Sequence, residues 1–194
     1  MADLDNVAAA LADAFRDDPV FGWLIPPGTP RRDAKMLTFF TSMARSYLRR
    51  GKHVYVVGDG RAAALWSAPG AWTLPMSEML RETPSAMKAF GRNTFHAVRT
   101  QLQVESLHPK EPEHWYLGYL GTRCDSQGQG LGSAMLREVL DGADAAGVPA
   151  YLESSNERNL TLYKRHGFAV VEEIRALGRG PSIWRMWRDP ARSS

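Results

Sequence analysis

Cysteine is almost absent from this 194-residue chain, Cys124 being the single one. A disulfide framework within the chain and a cysteine-based zinc cluster are thereby excluded. No uninterrupted apolar run reaches the roughly 18–20 residues of a membrane-spanning helix, so no membrane role is expected. Charge of one sign is scarce as well. Lys plus Arg number 24 against 21 Asp plus Glu, a formal net charge of +3. A nucleic-acid binder shows a clustered basic face rather than this balance. The pI near 9.2 therefore names no anionic partner, and no nucleic acid is expected. Internal repeats, low-complexity tracts and clear linkers are also missing. The opening MADLDNVAAALADAF carries acidic residues where a signal peptide is basic, and a cytoplasmic location is expected.

What is present is a globular balance, 44% apolar and 23% charged, long enough for one domain with a substantial core. Residues 7–15 place Ala and Leu at helical positions, with Asp5 and Asn6 as candidate N-caps. Prolines and glycines break residues 17–29. Helical spacing resumes over 31–50, where Met36, Phe39, Phe40, Met43 and Tyr47 share a face. Residues 53–57 and 61–66 read as strands joined in a hairpin through Gly58, Asp59 and Gly60. Residues 85–107 read as a helix weakened at Gly91. The second half then alternates: strand 115–120, glycine-rich connection 121–130, helix 131–146, strand 150–152, short helix 157–166, and strands 168–174 and 182–187. This order predicts an α+β or mixed α/β fold.

The segment WYLGYLGTRCDSQGQGLGSAML carries the chemistry. It reads as a strand, a glycine-rich turn and a helix N-terminus. Such a junction leaves backbone N–H groups without internal partners, and the helix dipole favours an anion there. Gly128, Gly130 and Gly132 let a phosphate approach the backbone. A plain glycine-rich turn reads from the same residues about equally well. A Walker A loop needs a lysine after the glycines, and none follows. A dinucleotide fingerprint fits Gly128, Gly130 and Ser133, with Glu153 as the later acid. Against it, residues 121–127 separate the strand from the glycines, and little chain remains for further βα units.

Gln127, Gly130 and Gly132 instead match Q/R-x-x-G-x-G/A, the pyrophosphate loop of the GCN5-related N-acetyltransferases, and here the sequence resembles that family. Downstream, SSNERNLTLYKRHGF is similar to the family's second signature, with Asn156, Asn159, Tyr163, Gly167 and Phe168 at its positions. The two motifs span about residues 115–171. The resemblance implies an acyl-CoA N-acyltransferase fold: a central, mostly antiparallel, splayed sheet flanked by helices. Residues 1–194 then form one domain, with acceptor-side elements in 1–110 and an acyl-CoA-binding core in 114–188.

The resemblance also implies site roles. The backbone of Leu120 and Thr122 takes the pantetheine arm of acetyl-CoA. Gln127, Gly128, Gln129, Gly130, Leu131, Gly132 and Ser133 cradle its pyrophosphate without a metal. Asn156 and Asn159 help seat it, although either also serves as a helix cap. Tyr163 is the acid that protonates the departing thiolate, since a phenol stays protonated at neutral pH. On spacing alone, Tyr163 reads as a core residue beside Leu160. Many members carry a carboxylate base on the strand before the loop, but residues 114–122 hold no Asp or Glu. Glu153 on the next strand is the candidate base, and an exposed strand-end carboxylate is the rival reading of it. Cys124 stands where proline is common. His108 and His114, without companions at ligand spacing, read as surface or packing residues.

The implied reaction moves an acetyl group from acetyl-CoA to the primary amine of a small molecule by direct attack. Residues 17–30, residues 66–72 and the aromatics Phe21, Trp23, Trp66, Trp72, Tyr116, Trp184 and Trp187 are candidates for the acceptor pocket. Exposed terminal strands leave a homodimer open. A Rossmann-like dinucleotide oxidoreductase and a non-catalytic acyl-CoA-binding module stand as alternatives.

Overall fold

A computed structural model describes residues 3–57 and 59–191. Gly58, part of the predicted hairpin turn, lies outside the described residues.

Helix α1 (Leu4–Ala14) starts one turn earlier than its apolar pattern. The Asp3 carboxylate accepts the Asp5 N–H at 3.1 Å, so Asp3 caps it rather than Asp5 or Asn6. The broken segment 17–29 holds a short helix, α2 (Pro19–Leu24). Asp18 accepts from the N–H groups of Val20 and Phe21, and Pro19 sits at the first position, where a missing N–H costs nothing. Helix α3 (Arg32–Arg49) follows, then strands β1 (His53–Val57) and β2 (Ala62–Ser67). The predicted helix 85–107 is two helices, α4 (Met76–Phe90) and α5 (Thr94–Leu107). Gly91, at φ 53°, ends α4, a conformation glycine adopts at little cost.

The second half contains β3 (Trp115–Thr122), α6 (Leu131–Ala145), β4 (Ala150–Ser154), α7 (Leu160–Arg165), β5 (Ala169–Arg175) and β6 (Ser182–Arg188). All six strands join one sheet in the order β1-β2-β3-β4-β6-β5. Only β3 and β4 pair in parallel, and α6 makes the crossover between them. The sheet is mixed, mostly antiparallel and open, as the family resemblance implies. A Rossmann fold needs a mostly parallel sheet, so the dinucleotide reading is set aside.

Residue alternation assigns the two faces. Ala63 and Leu65 of β2 pack with Val7, Leu11, Phe21 and Phe40 beneath α1 to α3. Ala62, Ala64 and Trp66 pack with Leu136, Leu140 and Tyr163 beneath α6 and α7. Helix α1 lies close on β3: a Cβ built on Gly121 meets the Ala14 Cβ at 2.6 Å and Leu11 Cδ2 at 3.2 Å. Gly121→Val is therefore expected to lower stability by about 1–3 kcal/mol, the usual range for overpacking. Urea unfolding checks this; an unchanged midpoint contradicts the close approach. No helix among the described residues is long and apolar enough to cross a membrane.

Candidate active site

The site begins where two parallel strands part. Strands β3 and β4 stay in register only from Trp115↔Ala150 to Leu117↔Leu152. Beyond that point β3 pairs with β2 alone and β4 with β6 alone. The parting coincides with a bulge. Leu65 pairs with Tyr119 and Trp66 with Leu117, leaving Gly118 as the extra residue. A Cβ on Gly118 would strike the Tyr47 hydroxyl, so any other residue there must displace the buried Tyr47 side chain.

The ladder fixes what faces the wedge. The Arg123 N–H donates to the Arg61 carbonyl at 2.9 Å. Hydrogen-bonded pairs alternate along an antiparallel ladder. Leu120 and Thr122, in the intervening pairs, thus turn their N–H and C=O groups away from β2 and toward the wedge. The Thr122 carbonyl indeed accepts from Gln127 Nε2 on the far side, at 3.3 Å.

The glycine turn closes one end. Gly128 and Gly130 sit at φ 77° and 78°, with open space where a Cβ would lie. Gly130 is the N-cap of α6 and offers no side-chain cap, so the first-turn amides face outward. Gln129 accepts from Arg61 at 3.2 Å, and the Ser133 hydroxyl lies 2.9 Å from His166 Nε2. Leu131 packs inward on the α6 face. A Cβ on Gly132 would lie 3.2 Å from Leu162 Cδ2 and 3.9 Å from Thr122 Oγ1. The turn, the wedge and α7 therefore converge. An acyl-CoA fits this cradle: uncapped amides for its pyrophosphate and unpaired strand edge for its amide-bearing arm.

Across the wedge, Asn156 caps the turn before α7, its Oδ1 accepting the Arg158 N–H at 3.1 Å. Asn159 and Tyr163 reach the cavity, and Asn156 does not line it. Tyr163 is buried, and burial followed by the nearby Asp18 charge pushes its hydroxyl well above the ordinary phenol value. Asp18 itself receives a hydrogen bond from the Ser155 hydroxyl, which ties α2 to the end of β4. Burial raises the pKa of its carboxyl.

A cavity of about 290 Å³ runs from Tyr163, Asn159 and Ser155 past Gly118 and Leu120 to Glu153, Tyr116, Trp72 and Lys52. Phe15, Phe21, Phe39 and Phe90 form an apolar wall. The Glu153 side chain is only 8% exposed, which corrects the reading of it as an exposed strand-end carboxylate. It points to the α5 face because β4 alternates and Leu152 faces the other way. Trp72 lines the cavity, whereas Trp184 packs against the core cluster beneath α6 and α7 and Trp187 meets His114 edge-on and Tyr151 at a tilt. A second depression lies on the outer face of α5 and includes neither Tyr163 nor the glycine turn.

Several groups here escape sequence reasoning. His108 and His114 are buried, which fits the packing reading and not the surface one, and they bond to each other, which their spacing does not show. Lys52 is 8% exposed, with Nζ 4.8 Å from the Tyr47 ring centre. Burial and then Arg50 lower its pKa to about 7. Between that value and the lysine norm of 10.5 the unfolded chain holds a proton that the folded chain has shed, so stability rises with pH there. Lys52→Met is expected to flatten that rise and to raise the melting temperature at pH 7. Melting curves at pH 7 and pH 9 check it, and an unchanged pH slope contradicts the buried lysine.

A splayed sheet with uncapped helix amides and a buried tyrosine across the wedge is the build of an acyl-CoA-dependent acyltransferase. Residues 94–168 match the acetyltransferase (GNAT) family. The chain is 29% identical over 181 residues to an uncharacterized N-acetyltransferase of Schizosaccharomyces pombe, covering 89% of this chain and 73% of that protein. It superposes on a crystal structure of a histone acetyltransferase HPA2 and related acetyltransferase from Corynebacterium glutamicum with TM-score 0.70 and 27% identity, over 100% and 94% of the two chains. Arylalkylamine N-acetyltransferase 2 from Aedes aegypti shares the fold, with TM-score 0.60 and 13% identity over 97% and 94% of the chains. The family match over residues 94–168, the N-acetyltransferase relative and the shared fold together mark an acetyltransferase similar to the GNAT family, which uses acetyl-CoA as donor.

Proposed function

We propose that this acetyltransferase acts on the primary amine of a small molecule with an apolar body, with Glu153 as the base and Tyr163 as the acid. The observation that carries this reading is the cavity that runs from Tyr163 through the wedge to Glu153 and ends on an aromatic wall. Acetyl-CoA, when bound, supplies a thioester whose carbonyl carbon takes the amine and whose thiolate departs.

The residues act as follows. Leu120 and Thr122 hold the pantetheine arm through their main chain. Gln127 to Ser133 and the α6 amides hold the pyrophosphate, with Arg61 steadying Gln129. Asn159 lines the channel beside the reacting end, and Asn156 acts indirectly, by shaping the turn that presents α7. Glu153 removes a proton from the ammonium so that the nitrogen lone pair is free. Tyr163 keeps its proton in the resting site, because burial disfavours the phenolate; it donates that proton to the leaving sulfur as the attacking nitrogen gives up its second proton, which restores the phenol. Lys52, neutral above about pH 7, does not repel an incoming cation.

Gly132→Leu tests the donor half of the site. A leucine there fills the gap between α6, Thr122 and Leu162. Calorimetry with acetyl-CoA is expected to show at least tenfold weaker binding. Unchanged affinity contradicts the cradle.

A further inference from the structure

Hydrogen-bond polarity around Glu153 fixes more than its burial. His114 Nδ1 lies 2.8 Å from the Pro112 carbonyl, which can only accept, so His114 carries its hydrogen on Nδ1. Its Nε2 is then a lone pair in the neutral ring. Burial is the largest cause holding His114 below the usual histidine range, which keeps that ring neutral. His108 Nε2 sits 2.9 Å from this lone pair and must be the donor. The remaining His108 nitrogen, Nδ1, faces Glu153 Oε1 at 3.6 Å. That oxygen is buried and has no hydrogen-bond partner among the described residues. In the neutral ring, a lone pair thus confronts a carboxylate. One added proton resolves the conflict, on either atom.

We infer that His108 is a positioning residue that shares the proton Glu153 takes from the substrate, with its tautomer locked by His114. The inference rests on Glu153 acting as the base. The substrate N–H bond breaks, the proton reaches Glu153, and it passes to His108 Nδ1, where a new N–H bond forms. Glu153 is again a carboxylate and His108 an imidazolium beside it. The proton leaves to water that enters the open cavity when product departs.

The groups that surround this pair are neutral or engaged elsewhere. Tyr47 from α3, Tyr116 and Tyr119 from β3 and Tyr151 from β4 all feel the Glu153 charge, and burial keeps each a neutral phenol. Arg185 from β6 is engaged with Glu172 and the Tyr151 hydroxyl. On α5, Glu105 accepts from Gln101 and faces Lys52. Trp72 stacks on the His108 ring at 3.9 Å, which holds the imidazole in plane.

Thiol-release profiles of kcat/KM against pH test this, with wild type, His108→Phe, His108→Gln and Glu153→Gln compared. In the two His108 variants the acid limb is expected to move to lower pH, with kcat down roughly 10–100-fold and acetyl-CoA affinity unchanged. A structural role lowers activity without moving the limb, and an unmoved limb in a folded variant overturns the proposal. If Glu153→Gln leaves rate and limb unchanged, the base assignment itself fails. If Glu153→Gln abolishes turnover while the His108 limb stays, only proton sharing fails. Should both His108 variants misfold, ¹⁵N spectra of wild-type imidazoles decide. His108 protonated on Nε2 and His114 on Nδ1 supports the proposal, and the opposite tautomers overturn it.

Discussion

Glu153→Gln is expected to lower kcat by about 10²–10⁴-fold, the range for loss of a general base, while acetyl-CoA binds as before. The substitution keeps volume and shape, so the cavity wall and the neighbouring Tyr116 and Tyr151 stay in place. It removes the negative charge and, with it, the capacity to take a proton. Glu153 is buried on the acceptor side of the wedge and the glycine turn lies on the other, which is why the two halves of the site respond separately. Steady-state thiol release and calorimetry on the same preparation measure both. A variant that turns over within threefold of wild type refutes the base. A variant that loses acetyl-CoA affinity instead places Glu153 in the donor site.

The second large effect concerns the acid. Tyr163→Phe is expected to reduce kcat by about 10²-fold or more. The ring that packs against Phe168, with centroids 6.1 Å apart, is retained, so melting temperature stays close to wild type. The pH dependence has a defined sign. Burial pushes the Tyr163 pKa above the phenol norm of 10.0, so the hydroxyl keeps its proton throughout the neutral and mildly alkaline range. The wild type should therefore show no basic limb from Tyr163 below about pH 10. A rate that falls between pH 7 and 9 and becomes flat in Tyr163→Phe contradicts this assignment. A variant as fast as wild type makes Tyr163 a packing residue, the reading its spacing beside Leu160 also allows.

Local features were legible in the chain. The glycine turn declares itself because Gly128 and Gly130 need positive φ and lie within three residues of one another. Tyr163 is legible because α7 and its closing Gly167 form one short contiguous signature. The α4–α5 break was half legible: Gly91 marks it, but the apolar spacing runs on across it. Four features stayed hidden because contacts between distant elements create them. Gly118 reads as an ordinary strand glycine until the bulge against β2 brings it to Tyr47. Arg61 meets Gln129 across 68 residues, and Ser155 meets Asp18 across 137. The cluster of Glu153, His108 and His114 depends on the register of β3 with β4 and on the path of α5 over that face. Composition gave no hint of it, since two histidines and one glutamate at those spacings match no ligand pattern.

The aromatic wall bears on the choice of acceptor. Phe15, just past the end of α1, and Phe21, Phe39 and Phe90, from α2, α3 and α4, converge on the sheet face. Such a wall rewards an apolar body attached to the amine, at about 25 cal/mol for each Å² of apolar surface removed from water. In the proposed reaction, Glu153 at the inner end would supply the charge that orients the ammonium toward the wedge.

The most direct measurement is thiol release from acetyl-CoA over a panel of primary amines and peptide N-termini, with the acetylated product identified by mass spectrometry. The expected result is turnover with small amines that carry an aromatic or aliphatic body, with one thiol released for each N-acetyl product. Turnover confined to peptides, or tight acetyl-CoA binding with no acetyl transfer to any amine, contradicts it.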